Sequence, residues 1–258
     1  MMSTPQVGLT VMSANLWHDW PRQHRWAPRL QAVADLASGH GVDVLLLQEV
    51  ARTRTLQADG WLARRLGMSH GYARANGSAR AFGFEEGLAI LSRYPIIEMR
   101  TRRLTRNPAV RRIGLGAALD TPFGTVTAVC VHLGLVHSRQ AHQMRVLRTW
   151  VDEMSGSEPA IIGGDFNATP ARRDISALRR EWVDTFHHAR PNQESTTHRR
   201  RSARLRVRER LIDYVFVRQP AGAPWTVVDA AHVDGPSGGH SDHRAVIAQL
   251  VPGSYTPG

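Results

Sequence analysis

Short apolar runs separated by turn residues set the tightest limit on what this chain can fold into. "GLTVMSANL", "VDVLLLQEV", "GLAILSRYPII", "GTVTAVCVHL", "PAIIGGDF", "RLIDYVFV", "WTVVDAAHV" and "HRAVIAQLV" are rich in Val, Ile and Leu and bounded by Gly, Pro, Asp or Asn, which is the pattern of strands. Several are apolar on both alternations, so they are expected to be covered on both faces. Helical spacing of apolar residues predicts helices over Ser138–Met154, with Ser138 as its cap, and over Trp26–Ser38 and Thr55–Leu66. Strands interleaved with helices, and several expected hairpins, predict a layered α/β domain with mixed sheets. No repeat, low-complexity linker or composition break divides the 258 residues, so one domain over 1–258 is expected, with its core at about 7–251.

The ends of these runs carry the chemistry. Asn15, Glu49, His132, Asp165, Asn167 and Asp213 each close or follow a strand, and Asp242 and His243 precede the last one. Singly, each has an ordinary structural reading: a turn cap, a solvated strand end, a core histidine. Strands of a sheet end along shared rims, so together they are expected to converge on one cleft. In "IIGGDFNATP" the bland reading is a turn closed by Asp165 and Asn167. The sharper reading is a polar pair at a strand mouth, two residues apart on an extended segment and so facing one side, with Phe166 anchored in the core between them.

Asn, Glu and Asp supply oxygen ligands, and there is no Cys/His cluster of the zinc type, so a hard divalent ion, Mg2+ or Mn2+, is the expected guest. Histidines with carboxylate partners can move protons and bind an anionic group. Oxygen-held metal with histidines suits attack of water on a phosphoester.

Bulk properties agree without choosing a substrate. The formal charge is +11, with 33 Lys+Arg against 22 acids, and every basic residue of the 33 is arginine. An anionic partner is expected. The alternation Arg204, Arg206, Arg208, Arg210 within "HRRRSARLRVRER" is either a backbone-tracking edge or an exposed arginine-rich connection. Cys130 is the single cysteine, so no internal disulfide can form and a reducing compartment is expected. No apolar run approaches the roughly 20 residues that span a bilayer. The opening residues lack the basic-then-apolar pattern of a secretion signal. A cytoplasmic monomer is the expectation.

"SANLW", "LLLQEV", "EGLAILSRYPI", "VHLGL", "GGDFNATP", "LIDYVFV" and "GHSDHRAV" occur in the order found in the endonuclease/exonuclease/phosphatase superfamily, and the chain resembles that superfamily from Val11 to Gln249. The resemblance implies a deoxyribonuclease I-like fold: a four-layer α/β/β/α sandwich of two mostly antiparallel sheets flanked by helices. It implies Glu49 as principal metal ligand with Asn15 beside it and Asp242 at or near the metal. Asp213 would orient His243 as an acid/base pair, Asp165 and Asn167 would position water and phosphate oxygens, and His132 would contact the phosphate. Glu86 resembles the glutamate that supports that histidine in the nuclease branch. The activity implied is Mg2+-dependent phosphoester hydrolysis, with nucleic acid ahead of lipid headgroups or small phosphoesters; a catalytically inactive anion-binding module is the remaining alternative. Arg210 and Leu211 stand where the abasic-site repair branch has a tryptophan before its "IDY"-type motif, so DNA repair is not expected.

Two motifs are set aside. "GPSGG" matches G-x-S-x-G, yet Pro236 precedes the serine and a strand follows it, so it reads as a loop rather than a nucleophile elbow. "SDH" places its three residues side by side, which is no serine triad. His187 and His188 read as solvated loop residues.

Overall fold

The computed structural model describes residues 8–18, 25–106, 111–201, 207–220, 222, 224–235 and 239–253. Two six-stranded mixed sheets stack face to face with helices on their outer sides. The first sheet has the order β13 (Trp225–Val233), β14 (Ala245–Pro252), β1 (Leu9–Asn15), β2 (Val44–Thr53), β4 (Phe84–Ser92), β3 (Ser69–Ser78). The second runs β5 (Ile96–Arg103), β6 (Ile113–Thr121), β7 (Gly124–His132), β8 (Ala160–Asp165), β12 (Asp213–Arg218), β9 (Val183–Asp184). This is the deoxyribonuclease I-like arrangement that the motif order implied.

Burial explains the double-sided apolar runs. Val11, Leu46 and Ile90 of the first sheet meet Leu115, Ala128, Cys130 and Val215 of the second in the central core. On the other face of the first sheet, Met12, Leu45 and Leu47 pack under α1 (Trp26–Gly39) and α2 (Ala58–Leu66). Val129, Ile162 and Phe216 of the second sheet pack under α4 (His137–Ser155) and α5 (Arg173–Leu178). Removing a core residue such as Leu46, fully buried, to alanine costs about 2–5 kcal/mol in sites of this kind.

The paired glycines of "IIGGDF" have a packing cause. A Cβ on Gly163 would meet Leu46 Cδ1 at 2.6 Å and Ser13 Cβ at 3.2 Å, and one on Gly164 would meet Val131 O at 2.0 Å. β8 therefore lies close to the opposite sheet and to its parallel neighbour only because those two positions lack side chains.

Each sheet holds one parallel pair, β1 with β2 and β7 with β8, and the remaining pairs are antiparallel. Parallel pairing sends both strands of each pair to the same rim. Asn15 lies opposite Gln48, beside Glu49, and His132 lies opposite Asp165. The antiparallel β12 begins at that rim, with Asp213 opposite Asp165. β4 brings Glu86 opposite Ala51, and β14 starts there because Val246 pairs with Ser13.

Several local expectations need correction. α4 starts at His137 with Val136 at its N-cap and no side-chain cap, so Ser138 already lies inside the helix. α2 begins at Ala58 rather than Thr55, because Thr53 Oγ1 accepts the Thr55 and Leu56 amides in a turn. The basic stretch is no plain connection: β10 (His198–Arg201) and β11 (Val207–Arg210) pair antiparallel as a separate ribbon. Arg204 and Arg206 lie outside the described residues, as does the middle of "GPSGG". His187 and His188 are exposed, on the short helix α6 (Thr185–Ala189) rather than in a loop. The remaining helix, α3 (Ala79–Phe82), is one turn capped by Ser78. Among the described residues no helix is long and apolar enough to cross a membrane.

Candidate active site

The rim gathers its polar groups across both sheets. Asn15, 1% exposed, reaches from β1 with its amide nitrogen to Glu49 Oε1 at 3.2 Å and to Asp165 Oδ2 at 3.3 Å. Its Oδ1 accepts the Trp17 amide at 2.9 Å. One buried amide thus ties a carboxylate of each sheet to the same point.

The backbone is strained where these side chains emerge. Among the described non-glycine residues, positive φ occurs at Trp17, Arg25, Glu49 and Asn167, and all but Arg25 belong to this rim. Glu49 sits where the β2–β4 register shifts between Leu47 and Val50, a bulge that re-aims its side chain. Such strain of about 1–3 kcal/mol per residue persists only where surrounding contacts enforce it. Asn167, at φ 50°, is not on an extended segment, so the expectation that it faces the same side as Asp165 by strand alternation fails. Its amide N–H donates to Asp165 Oδ1 at 2.8 Å and its side-chain nitrogen donates to Leu133 O at 2.9 Å. Both readings of "GGDFNATP" hold in part: the segment is an Asp-closed turn, and it presents Asp165 at a rigid mouth. Phe166 is fully buried between them, as expected.

Three buried titratable groups stand in line. His243 Nδ1 and Asp213 Oδ2 are 2.9 Å apart, and His243 Nε2 is 4.0 Å from Asp165 Oδ2. Burial opposes charge on His243, but Asp213, Asp165 and Asp242 outweigh it and push its pKa up to about 10. Burial and the neighbouring Asp213 carboxylate push Asp165 up to about 7. His132 Nε2 lies 3.6 Å from Asp165 Oδ2. Its burial, with the Arg112 charge, lowers it to about 3, so it is neutral near pH 7.

Glu86 is placed differently from its expected role. Its carboxylate lies 3.2 Å from His18 Nε2 and accepts Asn76 at 2.7 Å, and no hydrogen bond to His132 occurs among the described contacts. Burial would raise its pKa, but His18 and Asn76 override that and lower it to about 2. His18 also stands 3.6 Å from Glu49 Oε2 and donates its backbone N–H to that oxygen at 3.3 Å. Ligand atoms of His18, Glu49 and Glu86 all lie within 4.8 Å of one another, as do those of His198, Asp242 and His243. Asp242 is therefore gathered with His198, 3.7 Å away, rather than with Glu49 and Glu86. Burial opposes its ionisation, but His198 and His243 hold its pKa below the usual carboxylate value.

His18, Asn76 and His198 escape a reading based on strand ends. His18 follows β1 by three residues, Asn76 lies mid-strand at a register shift of β3, and His198 opens a ribbon hidden in the basic run. His198 makes a bridge to His243, and their rings lie 4.5 Å apart. From α1, the buried Arg29 donates to the carbonyls of Leu16, Trp17 and His240. It thereby fixes the loops that carry His18 and Asp242.

Comparison with known proteins bears on the family and the fold. The model of the Endonuclease/Exonuclease/phosphatase family matches residues 12–243. Uncharacterized protein YbhP of Escherichia coli K12 is 29% identical over 177 residues, 64% of this chain and 68% of the relative. A crystal structure of an endonuclease/exonuclease/phosphatase from Beutenbergia cavernae superposes with a TM-score of 0.75 at 22% identity, covering 96% of this chain and 72% of that one. Humanized D. rerio TDP2 superposes with 0.74 at 17% identity, covering 95% and 99%. At such identities the structures speak for the fold alone. With the family model spanning the site from Met12 to His243, this chain belongs to the endonuclease/exonuclease/phosphatase family.

Proposed function

We propose that this protein hydrolyses phosphoester bonds, phosphodiesters first among them, with a divalent cation, Mg2+ or Mn2+, held by Glu49 beside Asn15 and Glu86. The donor set fits such an ion. Five carboxylates (Glu49, Glu86, Asp165, Asp213 and Asp242) crowd one rim, and burial, with the Asp213 carboxylate beside it, raises the pKa of Asp165. The one cysteine, Cys130, is buried between the sheets, bonded to Gln48 and Leu47, so the donors on offer are oxygens and imidazoles. When bound, the ion supplies positive charge to the phosphate oxygens as the transition state forms.

The protein's own groups handle the protons. Asp165, fixed by the Asn15 side chain and the Asn167 amide, accepts a proton from the attacking water as the new P–O bond forms. His243, kept cationic by Asp213, gives a proton to the ester oxygen as the old P–O bond breaks. Neutral His132 donates a hydrogen bond to a non-bridging oxygen. Asp242 and His198 hold His243 from its open side.

The observation that carries this reading is the buried Asp213–His243–Asp165 line, tied to Glu49 through Asn15. The basic balance and the paired β10–β11 ribbon favour nucleic acid as the diester. The test is a Mg2+-supported panel of plasmid DNA, RNA, sphingomyelin, inositol phosphates and bis(p-nitrophenyl) phosphate, run with wild type and His243→Ala. Cleavage of at least one diester, lost in the variant, is expected. No turnover on any member, or turnover indifferent to His243, would refute it.

A further inference from the structure

A groove of about 580 Å3 opens between the end of β5 and the start of α4, lined by Arg106, Arg112, Arg139, His142 and Arg145 with Leu135 and Val136 at its lip. No Asp or Glu lines it, and no ion pair to any of the four arginines occurs among the described residues. Some surface arginines, such as Arg93, Arg100, Arg148, Arg179, Arg190 and Arg218, each face a carboxylate, whereas these four gather around one cavity with a histidine beside them.

The groove shares a wall with the catalytic rim. Arg112 also lines the small cleft that holds Glu49, Glu86 and His132. Gly134, two residues beyond His132, forms the groove's floor and is held rigidly: its N–H donates to Gln143 Oε1 at 2.9 Å and its carbonyl accepts Gln140 Nε2 at 2.7 Å. Gln140, fully buried, also donates to the Asn167 carbonyl at 2.9 Å. The same two glutamines thus set the spacing between groove and strand mouth. Leu135 is 71% exposed and Val136 52%, an apolar edge beside a cluster of cations.

We propose that this groove binds a second phosphate of the substrate, one unit removed from the phosphate being cleaved, with the apolar lip against the group between them. The proposal rests on the phosphoester reading above. Its ligand chemistry has two sources: the next phosphate of a nucleic-acid strand, or the second phosphate of a small polyphosphate.

Binding rather than turnover tests it. With chelator present to prevent cleavage, a single-stranded DNA octamer and inorganic tripolyphosphate are titrated into wild type and into the triple variant Arg106→Gln, Arg139→Gln, Arg145→Gln. A charge-matched control, Arg54→Gln, Arg64→Gln, Arg65→Gln, changes exposed arginines of α2 and the loop before it. The groove variant should bind at least one ligand ~10-fold or more weakly, and each lost phosphate contact should lower the salt slope by about 1. A loss for DNA identifies the strand as the source; a loss for tripolyphosphate alone identifies the small polyphosphate. Equal weakening in groove and control variants, or none in either, would overturn the groove and reduce it to net charge. Because no turnover is read, a groove that binds in a protein that hydrolyses nothing would refute the phosphoesterase reading and leave this result standing.

Discussion

His243 and Asp213 share one hydrogen bond in a buried setting, so their losses should not add. His243→Ala should slow turnover by ~10²–10⁴-fold, the usual worth of general acid–base help. Asp213→Asn placed on top of it should cost little more. Full additivity in the double variant would mean that the two serve separate steps. A second residue, His232, should shape stability rather than rate. It stacks on Phe186 at 3.8 Å and bonds Ser195 Oγ at 2.7 Å. Burial, aided by Arg244 and opposed by Asp213, lowers its pKa to about 4, against about 6.5 when unfolded. Between those values the unfolded chain binds the extra proton. The stability from neutral His232 is therefore full above about pH 6.5 and is lost as the pH falls towards 4. His232→Gln should flatten that acid limb in urea denaturation; an unchanged limb would assign it to other groups.

The elements explain what the sequence made visible and what it hid. Strands buried on both faces, such as β2 and β8, announce themselves by continuous apolar runs, and rim residues were legible because they flank such runs: Asn15, His132 and Asp165 close one, Asp213 opens one, and Asp242 and His243 precede one, while Glu49 sits at a bulge within β2. β6 was not legible, because its "IGLGAALDT" is full of small residues. Their cause lies far along the chain: a Cβ on Gly114 would meet Trp150 Cζ3 at 2.5 Å, and one on Gly116 would meet Met154 Sδ at 2.5 Å. β3 was hidden for the same reason, since Gly71 leaves room for Met99 of β5. Gly114→Ala should accordingly destabilise by about 1–3 kcal/mol through overpacking under α4, read as a lower denaturation midpoint with a little-changed Michaelis constant. No loss of stability would mean that Trp150 is not seated on β6 as described. At the site, a pattern of strand ends could reveal Asp165 and Asp213 but not His18 or His198. Those two reach the rim through loop and ribbon geometry that local periodicity does not encode.

Across the whole molecule, two sheets that each contain one parallel pair deliver their polar strand ends to a common rim, and Asn15 joins them there. This places carboxylates of both sheets within a few ångströms, a concentration of negative charge in a chain whose formal balance is +11. The surrounding arginines would draw in a polyanion, while the carboxylates need a cation before that polyanion can settle among them. In the hydrolysis proposed above, metal dependence would rest on this arrangement of carboxylates and not only on one ligand. The decisive measurement is the rate of phosphodiester cleavage as free Mg2+ is raised from zero in chelator-treated protein, for wild type beside Glu49→Gln. Turnover should be absent without Mg2+ and should rise to saturation as it is added. Glu49→Gln should remain folded and lose most of the saturating rate. Cleavage undiminished in excess chelator, or a Glu49→Gln enzyme as active as wild type, would contradict a metal-assisted hydrolysis at this rim.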